Sequence, residues 1–350
     1  MQLDTYKLKY FLFKHKVQDF IVEEKLDYTP EGKGHVFYVM FEKKFLNTFD
    51  IIDFLSKQLN LQRKHFWIWW LKDKFWITRQ RISIYKRTLN SRGGVKKFLD
   101  ILWKKAKILK ISWWDRLLKV WENSWNLFFI RLRPLFWKDN FVKIKKILPY
   151  VIEEIKQNWV PNYFWIQRFW KKLSNPDIGK NLLLWKINIK NPVEAQFKVQ
   201  ALSSWLFNRY LDLRIKKQLF NKNLHWDILF NQERKVFSMN SSLNEFYPTG
   251  PVYWFNLVVW EKQPYFLEYE NFKNHWFTWK DLEKFKKFDV YGIRRPIKFF
   301  PKDIRFKWKW KDLLIMFELP SGSYASIVVN YLDYLLNNFL KSSGIGASKL

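Results

Sequence analysis

Ten glycines among 350 residues are few for the turns that a chain of this length must make. Glycine reaches positive φ at no steric cost, and it usually makes up about 7% of a chain, roughly 25 residues here. Tryptophan is in excess, with 22 residues. Together the two types approach an ordinary glycine complement plus a few tryptophans. Several tryptophans also stand where turn chemistry wants glycine. Trp125-Asn126 precedes a β-like run, Trp226-Asp227 reads as a turn dipeptide, and Trp113-Trp114-Asp115 closes what reads as a helical segment. Tryptophan in a left-handed conformation is strained. One hypothesis is that the host reads UGA as glycine and that translation wrote those codons as tryptophan. Two others are a natively tryptophan-rich core and a set of aromatic platforms for stacking bases. The codons separate them.

Hydrophobic periodicity organises the rest. Val17 to Glu24 alternates like a strand, Tyr28 to Gly34 has turn chemistry, and His35 to Glu42 alternates again, so a hairpin is expected. Thr48 to Leu61 carries Ile51, Ile52, Phe54, Leu55 and Leu59 at helical spacing. Phe66 to Tyr85 returns to apolar and β-branched runs, Lys96 to Lys110 reads as a lysine-studded helix, and Asn126 to Arg133 as a strand. Beyond Pro161 the texture changes: helices are expected at 193–219 and 280–287, and strand patterning resumes from Arg294 to Val329. A tail from Lys341 is expected to be disordered. The layout implies an α+β fold in which residues 1–165 and 290–340 form a core interrupted by an α+β insertion at 166–289.

The formal net charge is +31, from 63 basic and 32 acidic residues. Such a field recruits polyanions and speeds their association. Lysines number 48 and arginines 15, a bias that AT-rich coding DNA also produces. An anionic membrane surface is the rival partner. No run reaches 18 uncharged residues, and the start of the chain carries Lys7, Lys9, Lys14 and Lys16 through its apolar positions, so neither a membrane span nor a signal peptide is expected. The absence of cysteine removes disulfides, zinc–thiolate sites and a thiol nucleophile, and fits a cytoplasmic protein.

His15, His35, His65, His225 and His275 are scattered with no i,i+4 pair, so no metal site is expected. There is no GxGxxG or GxxxxGK[ST], even with every tryptophan replaced by glycine. Gly322-Ser323-Tyr324 lacks the flanks of a nucleophile elbow.

Trp70-Leu71-Lys72-Asp73-Lys74, followed by Thr78, Arg79 and Gln80, resembles the catalytic motif of the TruD family of tRNA pseudouridine synthases. Further blocks are similar to that family, in its order. They are Asp19 to Glu24; Gly34-His35 with Asn47-Thr48; Trp121, Trp125-Asn126-Leu127-Phe128 and Leu132-Arg133; and Val160 to Trp170, which holds Asn162, Gln167 and Arg168. Leu206 to Arg209, Pro248 to Pro251, Gly292 to Pro296 and Phe317 to Ser326 continue the series. At Trp70, Trp121, Trp125, Trp159, Trp165, Trp170, Trp226 and Trp254 the family pattern has or favours glycine.

The resemblance implies a pseudouridine-synthase-type mixed sheet with flanking helices, tRNA as partner, no cofactor, and a monomer. Asp73 becomes the catalytic carboxylate, acting on the base or through a glycal-type intermediate. Lys72 and Lys74 beside it would keep its pKa low and hold phosphates, with Arg79 a further RNA contact. Phe128 is the candidate to hold the flipped base, with Asn126 fixing the turn and Phe317 and Tyr324 lining the site. Asn162, Gln167 and Arg168 either order the junction of core and insertion or touch RNA. A non-catalytic RNA-binding or RNA-chaperone protein on the same fold is the alternative.

Overall fold

The computed structural model describes residues 8–26, 28, 32–68, 75–118, 125–135, 138–169, 174–225, 227–231, 236–239, 246–253, 255, 257, 263–290 and 292–342. In chain order the strands are β1 (Phe11–Leu12), β2 (Phe20–Lys25), β3 (Val36–Lys43), β4 (Ile77–Tyr85), β5 (Lys107–Trp114), β6 (Trp125–Pro134) and β7 (Val160–Pro161). They continue with β8 (Leu229–Asn231), β9 (Val236–Ser238), β10 (Tyr247–Val252), β11 (Ile293–Pro296), β12 (Lys298–Phe299), β13 (Lys302–Lys309) and β14 (Asp312–Pro320). The helices are α1 (Thr48–Leu59), α2 (Lys86–Asn90), α3 (Gly94–Trp103), α4 (Lys138–Gln157), α5 (Ser174–Leu183), α6 (Pro192–Lys216), α7 (Gln263–Asn274), α8 (Leu282–Phe285) and α9 (Ala325–Ser342). The chain divides into two compact units, one from Lys7–Ile152, Pro301–Ser321 and Leu336–Leu350, the other chiefly from Glu153–Phe300 and Gly322–Leu335.

The first unit is built on a mixed sheet of order β13-β14-β6-β2-β4-β3-β5, with β1 added to β6. Its β2–β4 pairing is parallel; its other pairings are antiparallel. Period-two alternation sends Phe37, Val39 and Phe41 of β3 and Ile82 and Ile84 of β4 to one face, which α1 and α3 cover with Ile51, Ile52, Leu55, Leu59, Phe98, Ile101 and Leu102. Each such buried side chain contributes about 1.5–3 kcal/mol. Helix α1 starts where the Asp50 carboxylate accepts the Asn47 N–H at 2.8 Å, and it stops where Asn60 turns left-handed at φ 50°.

Three expectations are corrected. β2 and β3 are not a hairpin, because β4 inserts between them and pairs with both. The expected helix at 96–110 ends at Trp103, and Lys107–Trp114 is strand β5, whose Ile108 alternates with exposed Lys107 and Leu109 and which finds its partner in β3. Strand patterning does not continue to Val329: after β14 the chain turns at Gly322 (φ +86°), and α9 buries Ile327, Val328 and Val329. This helix runs through Lys341 and Ser342, the first two residues of the expected tail. The rest of that tail lies outside the described residues.

The second unit is organised on α6. Pro192 opens it behind Asn191, whose side chain accepts the N–H groups of Val193 and Glu194. Its buried Ala195, Val199, Leu202 and Leu206 pack with Leu182, Leu183, Tyr253, Phe272 and Phe285. At its end Arg214 and Asp227, both wholly buried, pair at 2.8 and 3.0 Å. Arg214 also donates to the carbonyls of Leu219 and Lys222, fixing the loop that returns to the four-stranded sheet β11-β10-β8-β9. Among the described residues, no helix is long and apolar enough to cross a membrane, and no cluster of three or more metal-ligating side chains occurs.

Candidate active site

Asn126 and Phe128 leave β6 on the same face and meet β2 and β14 in register. Asn126 lies opposite Glu24 and Leu319, and Phe128 opposite Val22 and Phe317. The Phe128 and Phe317 rings are 5.8 Å apart, and Phe20 stands 5.9 Å from Phe128. Phe317 is wholly buried, and Phe128 retains 7% exposure. The Lys14 ammonium sits 4.2 Å from the Phe20 ring, and the Phe20 and Trp76 rings are 5.9 Å apart. Lys14 counted in the sequence only as one of several early lysines; its place just before Asp19-Phe20 was the available signal.

The blocks of sequence similarity interlock on this sheet. Gln80 accepts the Thr48 hydroxyl at 2.9 Å and donates to Glu24 at 3.3 Å, joining three blocks through side chains that are all about 1% exposed. Glu24 also accepts the Arg81 N–H at 3.2 Å. A fourth block is tied in by Arg133, which grips both oxygens of buried Asp19 at 2.8 Å. Burial works against the Asp19 charge, but Arg133, the Lys16 N–H and Arg131 outweigh it and hold the carboxyl below its ordinary value. The Thr78 hydroxyl, on the same face, is buried without a hydrogen-bond partner among the described residues.

Asp73, Lys72, Lys74 and Trp70 lie outside the described residues, as do Trp121, Trp170, Trp226 and Trp254. β4 opens at Ile77, shortly beyond Asp73. Arg79 points to the opposite sheet face from Gln80 and is held by Glu23 at 3.0 Å and Glu42 at 2.9 Å.

In the other unit the later blocks converge in the same way. The Asn162 side-chain oxygen accepts from Arg295 at 2.6 Å and from the Ser323 hydroxyl at 3.3 Å, while its amide donates to the Pro296 carbonyl at 2.9 Å. Arg295 also donates to the carbonyls of Asn162 and Gly322 and lies 4.0 Å from the Phe164 ring. Burial lowers its pKa to about 10, so it stays cationic at neutral pH. Asn208 clasps the backbone of Phe164 through both ends of its amide. Arg168 bonds Ser204 at 2.7 Å and Gln200 at 3.4 Å on α6. Asn162 and Arg168 thus hold the protein to itself. Gln167 lies in the turn Ile166–Phe169, and its side chain is outside the described residues. Tyr324 stands 6.3 Å from Phe164 and 5.9 Å from the Arg295 guanidinium. Replacing Asn162 by alanine should take from Arg295 its one side-chain acceptor there, leaving the Asn162 carbonyl, and cost about 1–3 kcal/mol, read as a lower Tm in thermal unfolding.

The tRNA pseudouridine synthase D (TruD) family model matches residues 11–194 and 191–331. The chain belongs to this family. A tRNA pseudouridine synthase D of Hydrogenovibrio crunogenus is 28% identical over 341 residues, 92% of each chain. The Wolinella succinogenes protein of the same name is 33% identical over 206 residues, which span 59% of this chain and 54% of its own. A crystal structure of the Methanosarcina mazei protein assigned to tRNA pseudouridine synthase D superposes with a TM-score of 0.68 over 95% of both chains at 20% identity. That likeness establishes the α+β fold with its mixed sheet.

Proposed function

We propose that this chain converts a uridine of tRNA, position 13 in the family's usual substrate, to pseudouridine. The observation that carries the reading is the convergence of Glu24, Thr48, Gln80, Asn126 and Phe128 on one face of the sheet whose strand β4 begins just after Asp73. The N1–C1′ bond breaks, the base turns, and C5 bonds to C1′ while the C5 proton is lost and N1 gains one. The reaction is an isomerisation, balanced without oxidant or phosphoryl donor. Asp73 supplies the carboxylate, with Lys72 and Lys74 favouring its ionised form. Phe128 offers its ring to the unstacked base with Phe317 beside it, and Asn126 stands at the start of β6 on the same face. Residues 166–289 serve as the insertion that helps hold the RNA. Incubation with unmodified tRNA transcripts and mapping of pseudouridine tests the reading: product at one D-arm uridine is expected. Tight tRNA binding without product would favour the RNA-chaperone alternative.

A groove between Asn60–His65 and α2 gives the backbone phosphates a place to dock. Lys64, His65, Arg87 and Arg92 line it with Asn60, Gln62, Thr88 and Ser91, and among the described residues its lining contains no carboxylate. Changing Lys64, Arg87 and Arg92 together to alanine should weaken tRNA binding and reduce the slope of log K against log salt by roughly 2–3. Filter-binding titrations across a salt series measure both.

A further inference from the structure

Nine described residues other than glycine have positive φ, and three of them are tryptophan: Trp185 (φ 58°), Trp276 (φ 71°) and Trp310 (φ 59°). Tryptophan supplies 22 of 350 residues, so a third of these sites is far above its share. The left-handed region is sterically costly for a branched, bulky side chain and free for glycine. Asn60, Asp289 and Asp303, also in this set, are of the short polar type that tolerates it.

The hydrogen bonding at the three tryptophans defines what each position is for. At the end of α5 the Trp185 N–H reaches the Leu182 carbonyl at 3.2 Å and the Lys186 N–H reaches the Asn181 carbonyl at 2.9 Å. At the end of α7 the Trp276 N–H reaches the Lys273 carbonyl at 2.9 Å and the Phe277 N–H the Phe272 carbonyl at 3.2 Å. Both are paired 5→2 and 6→1 bonds, the Schellman closure, with tryptophan at the left-handed C′ position that glycine dominates. The apolar contact that accompanies this closure is present at α7, where the Phe272 and Phe277 rings stack 5.0 Å apart. Trp310 is the first of two residues joining β13 to β14, between the paired Lys309 and Asp312. A hairpin loop of two residues with positive φ at the first is the turn that takes glycine there.

Packing does not repay the strain. The three rings are 53%, 80% and 91% exposed. A lysine ammonium lies 4.0 Å from the Trp185 ring (Lys287) and 5.9 Å from the Trp276 ring (Lys180), contacts that exposed lysines make weakly. Beyond those contacts such rings bury little. The contrast with Trp125 and Trp165 is direct: those two are buried, and they do not have positive φ. They sit where the family pattern has glycine, but their backbone does not demand it.

We infer that residues 185, 276 and 310 are glycine in the protein as its host makes it, through a UGA codon that the host reads as glycine. The inference stands on backbone conformation and helix and hairpin closure, at positions independent of the family motifs and of the proposed reaction. By the same decoding it extends to Trp70, three positions ahead of Asp73, which then becomes the glycine of the family motif.

Two measurements test it, and neither reads activity. Peptide mass spectrometry of the protein purified from its own host should find glycine at 185, 276 and 310. Tryptophan in those peptides, or a UGG codon at these positions, overturns the inference. In protein made in a host that inserts tryptophan, the combined variant Trp185→Gly, Trp276→Gly, Trp310→Gly should raise Tm by roughly 6–12 °C. The control Trp103→Gly, at an equally exposed helical position of α3, should lower it. A triple variant that melts no higher than the parent would remove the conformational premise. Loss of pseudouridine activity with glycine confirmed at the three sites would instead count against the proposed function alone.

Discussion

Asp73→Asn should abolish pseudouridine formation, by at least ~10³-fold in kcat/KM, while tRNA affinity changes little. Asparagine keeps the size and hydrogen-bonding reach of the side chain and removes the charge that the isomerisation needs. The variant alters one group among 63 basic and 32 acidic residues, so the electrostatic attraction for RNA is unchanged. Single-turnover assays with tRNA transcripts, paired with a binding titration, separate the two quantities. Equal losses in binding and turnover would mean that the residue holds the RNA rather than acting on it. A turnover close to that of the parent would remove Asp73 from the chemistry.

Asp227→Ala should cost about 3–5 kcal/mol of stability, the largest effect expected of a substitution in the second unit. Arg214 is wholly buried, and Asp227 accepts from it through both carboxylate oxygens. Without Asp227 the guanidinium keeps the carbonyls of Leu219 and Lys222 and the Tyr210 hydroxyl, but its charge has no counterion in an interior that excludes water. Asp227 also accepts the Leu224 N–H at 2.7 Å, so the loop entering β8 loosens as well. Pairing the change with Arg214→Met should recover much of the loss, because a buried pair contributes little net stability beyond an apolar replacement of similar volume. Urea unfolding of the parent, the single and the double variants decides this; an additive double variant would contradict a direct coupling.

The first unit was legible in the sequence where one side of an element faces the core. Asn126 to Arg133 and Thr48 to Leu61 show clean periods of two and 3.6, and they fold as β6 and α1. Strand pairing was not legible, since alternation says which face is buried and nothing about the neighbour. β2 and β3 therefore read as a hairpin, although β4 lies between them. The stretch after Trp103 misled because Lys107 and Lys110 fall at helical spacing, while an edge strand with a register shift against β3 exposes both as readily as a helix does. In the candidate site, the resemblance put Asn126 and Phe128 forward, and they share one face of β6. The polar bridge Thr48–Gln80–Glu24 could not be read from sequence, because each residue is unremarkable without its partners. The same holds for Asn162 and Arg295, which are 133 positions apart and touch through two hydrogen bonds.

The placement of β14 beside β6 also bears on how the chain is made. A ribosome delivers β2, β4 and β6 early, yet β6 then presents one open edge until Asp312–Pro320 has emerged. That edge carries Phe128, whose neighbouring ring Phe317 is among the last residues synthesised before α9. Nascent chains thus carry an apolar strand with one open edge for much of elongation, an invitation to pair with a neighbour on the same polysome. Trigger-type chaperones that shield extended segments should engage the chain after β6 and let go once β14 has docked.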